Sequence, residues 1–490
     1  MRQRARRTLG WWSRLGLVSW VPGSADRALD RAQGQVFRLL WLFLPEPEIA
    51  RNLQFQHLLA SRFLSEAGQQ TLAFGVLVAV ARGGGSALEV AAIGVAALVP
   101  PAVFGLYGGA VADALPKRVA LAAAYAGMAA LCIAAPAFLG TDLVYLVLLI
   151  LAVNTLGQVS APTESSVLPL VATDVQLASA ASLINLAAAA GAAFGTALLA
   201  PVLVKAVGVK PVMYLSAVLL LLAASRVFDL PVGDARRRFR LPRAPYLAAA
   251  RWLGRHPAVA TMIAVSVMAG TVNVVLVSLG PYYVQSVLHS DATNTAYVFA
   301  PSAIGVVAAL LAAPWLMTRL GERLSSLVAL LLASGSLFLL GAVDQATTVV
   351  GPFNPINAAS LAGIEMNEEM RTAGLIAIPL AFGVSLTATC VQTYINRRVP
   401  VSYQGRTFAM QGALRNGAAI VPLLALGAAA SEFGAETVLL VSPLLLAVLG
   451  YGLVATSLRF APHAPRGRMA VMESFWEEPV VPPPQPPSPA

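Results

Sequence analysis

Long apolar stretches alternate with short polar breaks along this chain, and the apolar stretches share one recurrent length. A membrane-crossing helix needs about 20 mainly apolar residues, and by that measure the sequence divides into twelve. The first six run over 57–81, 88–112, 118–139, 142–164, 178–204 and 210–228. The second six run over 257–286, 295–318, 324–343, 373–396, 404–430 and 435–457. Two polar interruptions are long: 229–255, rich in arginine, and 344–372, which carries Asn, Glu and Pro and reads as an external loop. The pattern predicts an all-α integral membrane protein with 12 transmembrane helices in two six-helix bundles, 52–228 and 256–458, flanking a cytoplasmic linker at 229–255.

Composition agrees with burial in lipid. Apolar residues make up 58% of the chain and charged residues 11%, well below the roughly 25% typical of soluble domains. So few charges cannot cover a water-exposed surface. The net charge of +10 would otherwise point to nucleic acid, but its placement excludes that reading. With the N-terminus inside, 27 of the 33 lysines and arginines fall on the inner side. Only Arg82, Lys205, Lys210 and Arg371 fall outside, while Arg62 and Arg415 lie within helices. Retention of positive charge on the cytoplasmic side therefore places both termini in the cytoplasm of a multi-pass protein of the cell membrane.

The ends differ from the helical core. Residues 1–51 contain GWWSRLGLVSWV and VFRLLWLFL, patches too short or interrupted to span. With tryptophans beside arginines they suit an amphipathic arm lying in the inner interface, although a disordered basic tail is the plain alternative. The tail 459–490 ends in EEPVVPPPQPPSPA, a proline-rich extended segment. Cys132 and Cys390 both sit in apolar runs and are read as small buried hydrophobes rather than a disulfide.

The two halves carry a trace of common origin. GAVADALPKR (109–118), after the second helix, lines up with PWLMTRLGER (314–323), after the eighth. The first of these, Gly109-x-x-x-Asp113-x-x-x-Lys117-Arg118, resembles the loop signature G-x-x-x-D-R-x-G-R-R of the major facilitator superfamily. Ala114 and Pro116 replace its usual arginine and glycine. NLQFQHLLASRFLSEAG, GRTFAMQGALRNGAA and the linker's YLAAARWLGRHPAV are similar to the branch that contains enterobactin and macrolide efflux proteins. The resemblance covers about 52–460 and implies a major facilitator fold, alternating access and proton-driven export of a small molecule. It also implies a reversible cytoplasmic latch. Gly109 allows close approach, and Asp113 faces the positive N-terminal end of the eleventh helix near Arg406. Lys117 and Arg118 complete that latch, with Glu164 and Arg415 as further members. A bare positive-inside loop, or simple contact with water at helix ends, is the alternative.

Ionisable groups inside a bilayer are costly and mark function by default. Arg62 and Glu66 are four apart on the first helix, hence on one face, with Glu66 near mid-membrane. Burial opposes ionisation of that carboxyl and Arg62 favours it, so Glu66 is the candidate proton-coupling group; a static ion pair is the alternative. Gln69 and Gln70 extend the polar side. Helices 1, 4, 7 and 10 line the cavity in the superfamily, so Asn154, Gln158, Asn273, Gln392 and Asn396 are candidate substrate contacts or, equally, bonds between helices. Gly191 and Gly195 form a G-x-x-x-G packing pair. This pair is similar to the antiporter signature G-x-x-x-G-P-x-x-G-G, from which Ala187, Ala192 and Thr196 depart.

No nucleotide loop is present, because Lys117, Lys205 and Lys210 all lack a preceding glycine. The histidines, at 57, 256, 289 and 463, form no metal motif. The expectation is a monomeric transporter and not an enzyme, without cofactor or metal, moving a hydrophobic or amphipathic drug- or siderophore-like substrate against protons within the lipid bilayer. A lipid or lysolipid transporter of the same fold, and a non-transporting scaffold or receptor, are the alternatives.

Overall fold

A computed structural model describes residues 49, 52–139, 142–173, 176–230, 253, 256–351, 354–356, 366–399, 401–444, 446 and 448. Backbone alone is described at 106–114, 401–406 and a few other helical positions. The expected amphipathic arm, most of the linker and the proline-rich tail lie outside the described residues.

Among the described residues every regular element is a helix. Ten helical stretches are long and apolar enough to cross a bilayer; one of them, Ala292–Gly341, is two spans joined at Gly321, and a further apolar helix begins at Ala435–Leu444, which makes twelve. In chain order they are α1 (Leu53–Arg82), α2 (Ala87–Ala114), α3 (Lys117–Ala134), α4 (Leu143–Val171), α5 (Leu177–Ala193, running on through Phe194–Leu199 and Ala200–Val207) and α6 (Val209–Val227). The second set is α7 (Pro257–Ser286), α8 and α9 (the two arms of Ser302–Gly341), α10 (Glu368–Arg398), α11 (Val401–Phe433) and α12 (Ala435–Leu444).

Local chemistry sets several ends. Ser86 and Glu89 form a reciprocal capping box at the start of α2, with bonds of 3.3 Å and 2.8 Å. The Asn367 side chain accepts from the Met370 N–H at 2.7 Å to start α10. Glu368 and Glu369 at that end, and Arg397 and Arg398 at the other, oppose the helix dipole. Both π turns adjoin a proline: Ala135–Leu139 contains Pro136, and Phe194–Leu199 precedes Pro201. Proline cannot donate to the carbonyl four residues back, and the helix widens there.

Two differences from the pattern-based boundaries have physical causes. The fourth span runs on to Val171, because the polar TESS at 163–166 is followed by the apolar VLPLV and the helix continues through it. The interruption at 344–372 is not all loop, since Val343–Val350 is helical. The break between α8 and α9 falls at Gly321, whose φ of 75° and ψ of 164° suit a residue without a Cβ. Its aligned partner in the first half, Pro116, caps α3 at φ −56° and ψ 130°. The two aligned segments thus break their helices at equivalent positions.

The buried apolar residues form two main cores. One is drawn almost wholly from α1 to α6, around Phe55, Leu72, Tyr125 and Leu220. The other is drawn from α7 to α12, around Met262, Val284 and Leu340. Inside each half, glycine brings backbones together. A Cβ at Gly191 or Gly195 on α5 would lie 2.5 Å from the Phe63 carbonyl oxygen or 2.6 Å from that of Ala67 on α1. Gly305 on α8 is pressed against the Ile378 carbonyl of α10 in the same way. Gly305→Val must force α8 off α10, and overpacking of this kind costs about 1–3 kcal/mol. The melting temperature of the detergent-purified protein should fall for Gly305→Val and hold or rise for Gly335→Ala, whose added methyl meets nothing within 4 Å.

Candidate functional site

The N-terminal half holds a charge cluster within its membrane-spanning helices. Arg62, on α1, places Nη2 3.2 Å from Glu66 one turn on and Nη1 2.8 Å from Glu164 on α4. The Tyr125 hydroxyl of α3 donates to the other oxygen of Glu164. Gln70 donates to Glu66 at 3.1 Å. One guanidinium thus serves two carboxyls. Glu164 is buried, at 2% exposure, whereas Glu66 and Arg62 at 19% and 18% stand at the accessible edge. Gly191 keeps this edge clear, since a Cβ there would lie 3.2 Å from that of Glu66. Sequence pattern offered no means of pairing Arg62 with Glu164, 102 positions away. Tyr125, the sole aromatic in α3, carried a signal that passed unread.

Amides continue the polar side of this half. Gln69 lies against α4, where a Cβ on Gly157 would come within 2.9 Å of its oxygen. Its amide donates to the Ser65 carbonyl, that of Gln158 to Asn154, and that of Asn154 to Ile150. Each side-chain oxygen is left to accept from elsewhere. Across the molecule, Asn273 on α7 and Gln392 and Asn396 on α10 are exposed.

The latch residues are partly described. Gly109 and Asp113 belong to the last turns of α2 and Arg406 to the first turns of α11, with side chains outside the described residues. Lys117 is buried at 6% exposure, and Arg118 lies 5.6 Å from the ring centre of Phe228 at the end of α6. Glu164 faces Arg62 and Tyr125 within its own half. Arg415 stands well inside α11, and its stem crosses Gly270 of α7. At the matching turn of the second half, Glu322 binds Arg397 at 2.5 Å, and Arg323 and Arg398 each lie 5.5 Å from the Tyr394 ring centre.

The halves meet on the side opposite the start of α1, here the far side. Arg82, ending α1, reaches Asp291 in the α7–α8 connection at 3.2 Å and donates to the Val204 carbonyl at 3.0 Å. The Leu88 N–H donates to the Ser431 hydroxyl at 3.1 Å. A Cβ on Gly94 would lie 2.6 Å from Ser278 Oγ, and one on Gly427 2.5 Å from Ala91. Ala91 and Leu98 of α2 share a small core with Ala419 and Leu423 of α11. The far side is closed by these contacts. Burial alone would raise the Asp291 carboxyl, but the N–H and hydroxyl of Thr293, then Arg82 and Lys205, outweigh it and hold the carboxyl below its ordinary range.

Residues 37–422 match the family model described as Major Facilitator Superfamily. No curated protein sequence matches the chain. Among solved structures, the chain superposes on the nucleoside transporter NupG with a TM-score of 0.63 at 14% identity, covering 82% of this chain and 98% of that one. A peptide transporter, POT, gives 0.60 at 15% identity, over 85% and 96%. A bacterial homologue of the human lysosomal transporter Spinster, in an inward-facing and unoccupied conformation, gives 0.58 at 13%, over 87% and 95%. At such identities the likeness establishes the fold.

The Arg82 contact needs Asp291 ionised, and with the carboxyl held below its ordinary range that contribution to the far-side closure persists above the ordinary aspartate value and disappears as pH falls through the folded one. Spin-label distances between the α1–α2 and α7–α8 turns should stay constant from neutral pH down to about 5 and lengthen only below about 4. Asp291→Asn should lengthen them at every pH and abolish the dependence.

Proposed function

Because the chain belongs to the major facilitator superfamily, whose solved relatives are transporters and not enzymes, we propose that it is a proton-driven exporter of a hydrophobic or amphipathic small molecule, resembling the enterobactin- and macrolide-efflux branch. The observation that carries this reading is the sharing of Arg62 between Glu66 and Glu164. Two ionised carboxylates and one guanidinium leave an excess negative charge in a poorly solvated interior, and such charge is relieved by binding a proton. Glu66, at the accessible edge, exchanges that proton with water; Glu164, held by Arg62 and Tyr125, is its buried partner.

The bundles 52–228 and 256–458 act as two bodies moving about a pocket between them. The near side is cytoplasmic, and the far-side closure is the inward-facing state. Gly109, Asp113, Lys117, Arg118 and Arg406 form the latch that closes the near side when the far side opens. Gln69, Gln70, Asn154, Gln158, Asn273, Gln392 and Asn396 supply the few polar contacts of a mostly apolar cavity. The protein works as a monomer in the cell membrane.

The test is transport into inverted membrane vesicles under an imposed pH gradient, screened with a panel of fluorescent amphiphiles. Glu66→Gln and Glu164→Gln should each reduce gradient-driven uptake at least about tenfold, as removal of a proton-transferring group does, and leave gradient-independent exchange in place. Full gradient-driven uptake by both variants would overturn the reading.

A further inference from the structure

Arg415 is a membrane-embedded cation in the other half, and among the described residues it has no carboxylate partner. It stands near the middle of α11, is exposed, and makes no hydrogen bond or ion pair among the described residues. Gly270 of α7 seats it: a Cβ there would overlap both Cγ and Cδ of the arginine stem. One turn nearer the start of α11, Gln411 donates to Ser266 at 2.6 Å, so two successive turns of α11 lie on one stripe of α7. That stripe continues through Asn273 and Val277, both exposed, whereas Val265, Val272 and Tyr283 on a neighbouring face pack into the core of the C-terminal half. The stripe thus packs on α11 at Ser266 and Gly270 and is uncovered further along, at Asn273 and Val277.

A guanidinium remains charged at any pH the protein meets, and a charge at such a depth demands water or a counter-ion. Glu164 is occupied by Arg62 and Tyr125, and Glu66 by Arg62 and Gln70. We propose that Arg415 is the anion-binding residue of the cavity, so that the transported molecule bears an oxyanion (carboxylate, sulfonate or phosphate) beside its apolar part. The planar fork of the guanidinium takes two oxygens at once, and the seat at Gly270 holds the stem so that the fork meets the ligand with little ordering left to do. The inference deepens the export reading by naming the substrate's charge; the binding itself does not depend on the direction of movement.

The test uses the full chain purified in a neutral detergent and titrated calorimetrically with three probes of one shape: naphthalenesulfonate, naphthalenemethanol and naphthylmethylammonium. The sulfonate should bind saturably and at least about tenfold more tightly than the other two, the scale expected of a charge-assisted contact. Arg415→Gln should remove that preference, Arg415→Lys should keep only part of it, and Gly270→Leu should weaken it by displacing the stem. Equal or tighter binding of the ammonium by the unaltered protein would overturn the proposal, with no variant needed. So would sulfonate binding that Arg415→Gln and Arg415→Lys both leave unchanged. Loss of pH-driven transport with the sulfonate preference intact would strike the export reading alone; the reverse outcome would strike this one alone.

Discussion

Charge inside a bilayer must be neutralised, solvated or used, and this constraint organises the N-terminal half. Arg62 cannot shed its proton, and lipid cannot solvate it. Breaking a buried pair by removing one partner costs more than the pair contributes, so Arg62 holds α1 and α4 in register through Glu164. Tyr125 brings α3 into the same contact. Glu66 then becomes the second claimant on a cation already engaged. Under the proposed function, this one-cation, two-carboxyl arrangement is what a coupling proton acts on.

Glycine makes the rest of the design possible. Gly191 and Gly195 bring α5 against the backbone of α1, Gly305 and Gly383 bring α10 against α8 and α9, and Gly94 and Gly427 bring the halves together on the far side. The first two sets make each half a tightly packed body. The third is a contact between bodies, with a small core and the ion pair of Arg82 with Asp291 beside it. Under the proposed alternating access, movement between halves would break few contacts and leave each half intact. Gly270 does different work, seating an arginine stem rather than a backbone.

Much of the fold was legible because lipid imposes a length on every crossing. The spans expected at 88–112 and 257–286 became Ala87–Ala114 and Pro257–Ser286 with almost no adjustment. The weak alignment of 109–118 with 314–323 gained meaning when Pro116 and Gly321 both proved to stand at helix breaks. Side-chain partners were less legible. Glu164 seemed to end a span because TESS is polar, yet α4 continues to Val171 and carries Glu164 into the helix packing. Neighbours on one helix, such as Arg62 and Glu66, follow from spacing alone. Neighbours on different helices, such as Arg62 with Glu164 or Arg82 with Asp291, depend on packing that no periodicity encodes.

The central claim is that two carboxyls compete for Arg62 and that a proton resolves the competition. The most direct measurement is the infrared carboxylic-acid C=O stretch of the purified protein at neutral pH. The prediction is one protonated carboxyl assignable to the cluster, lost when either Glu66 or Glu164 is replaced by glutamine, because the remaining carboxylate then balances Arg62 alone. A wild-type spectrum without such a band, or a band that survives both substitutions, would contradict it.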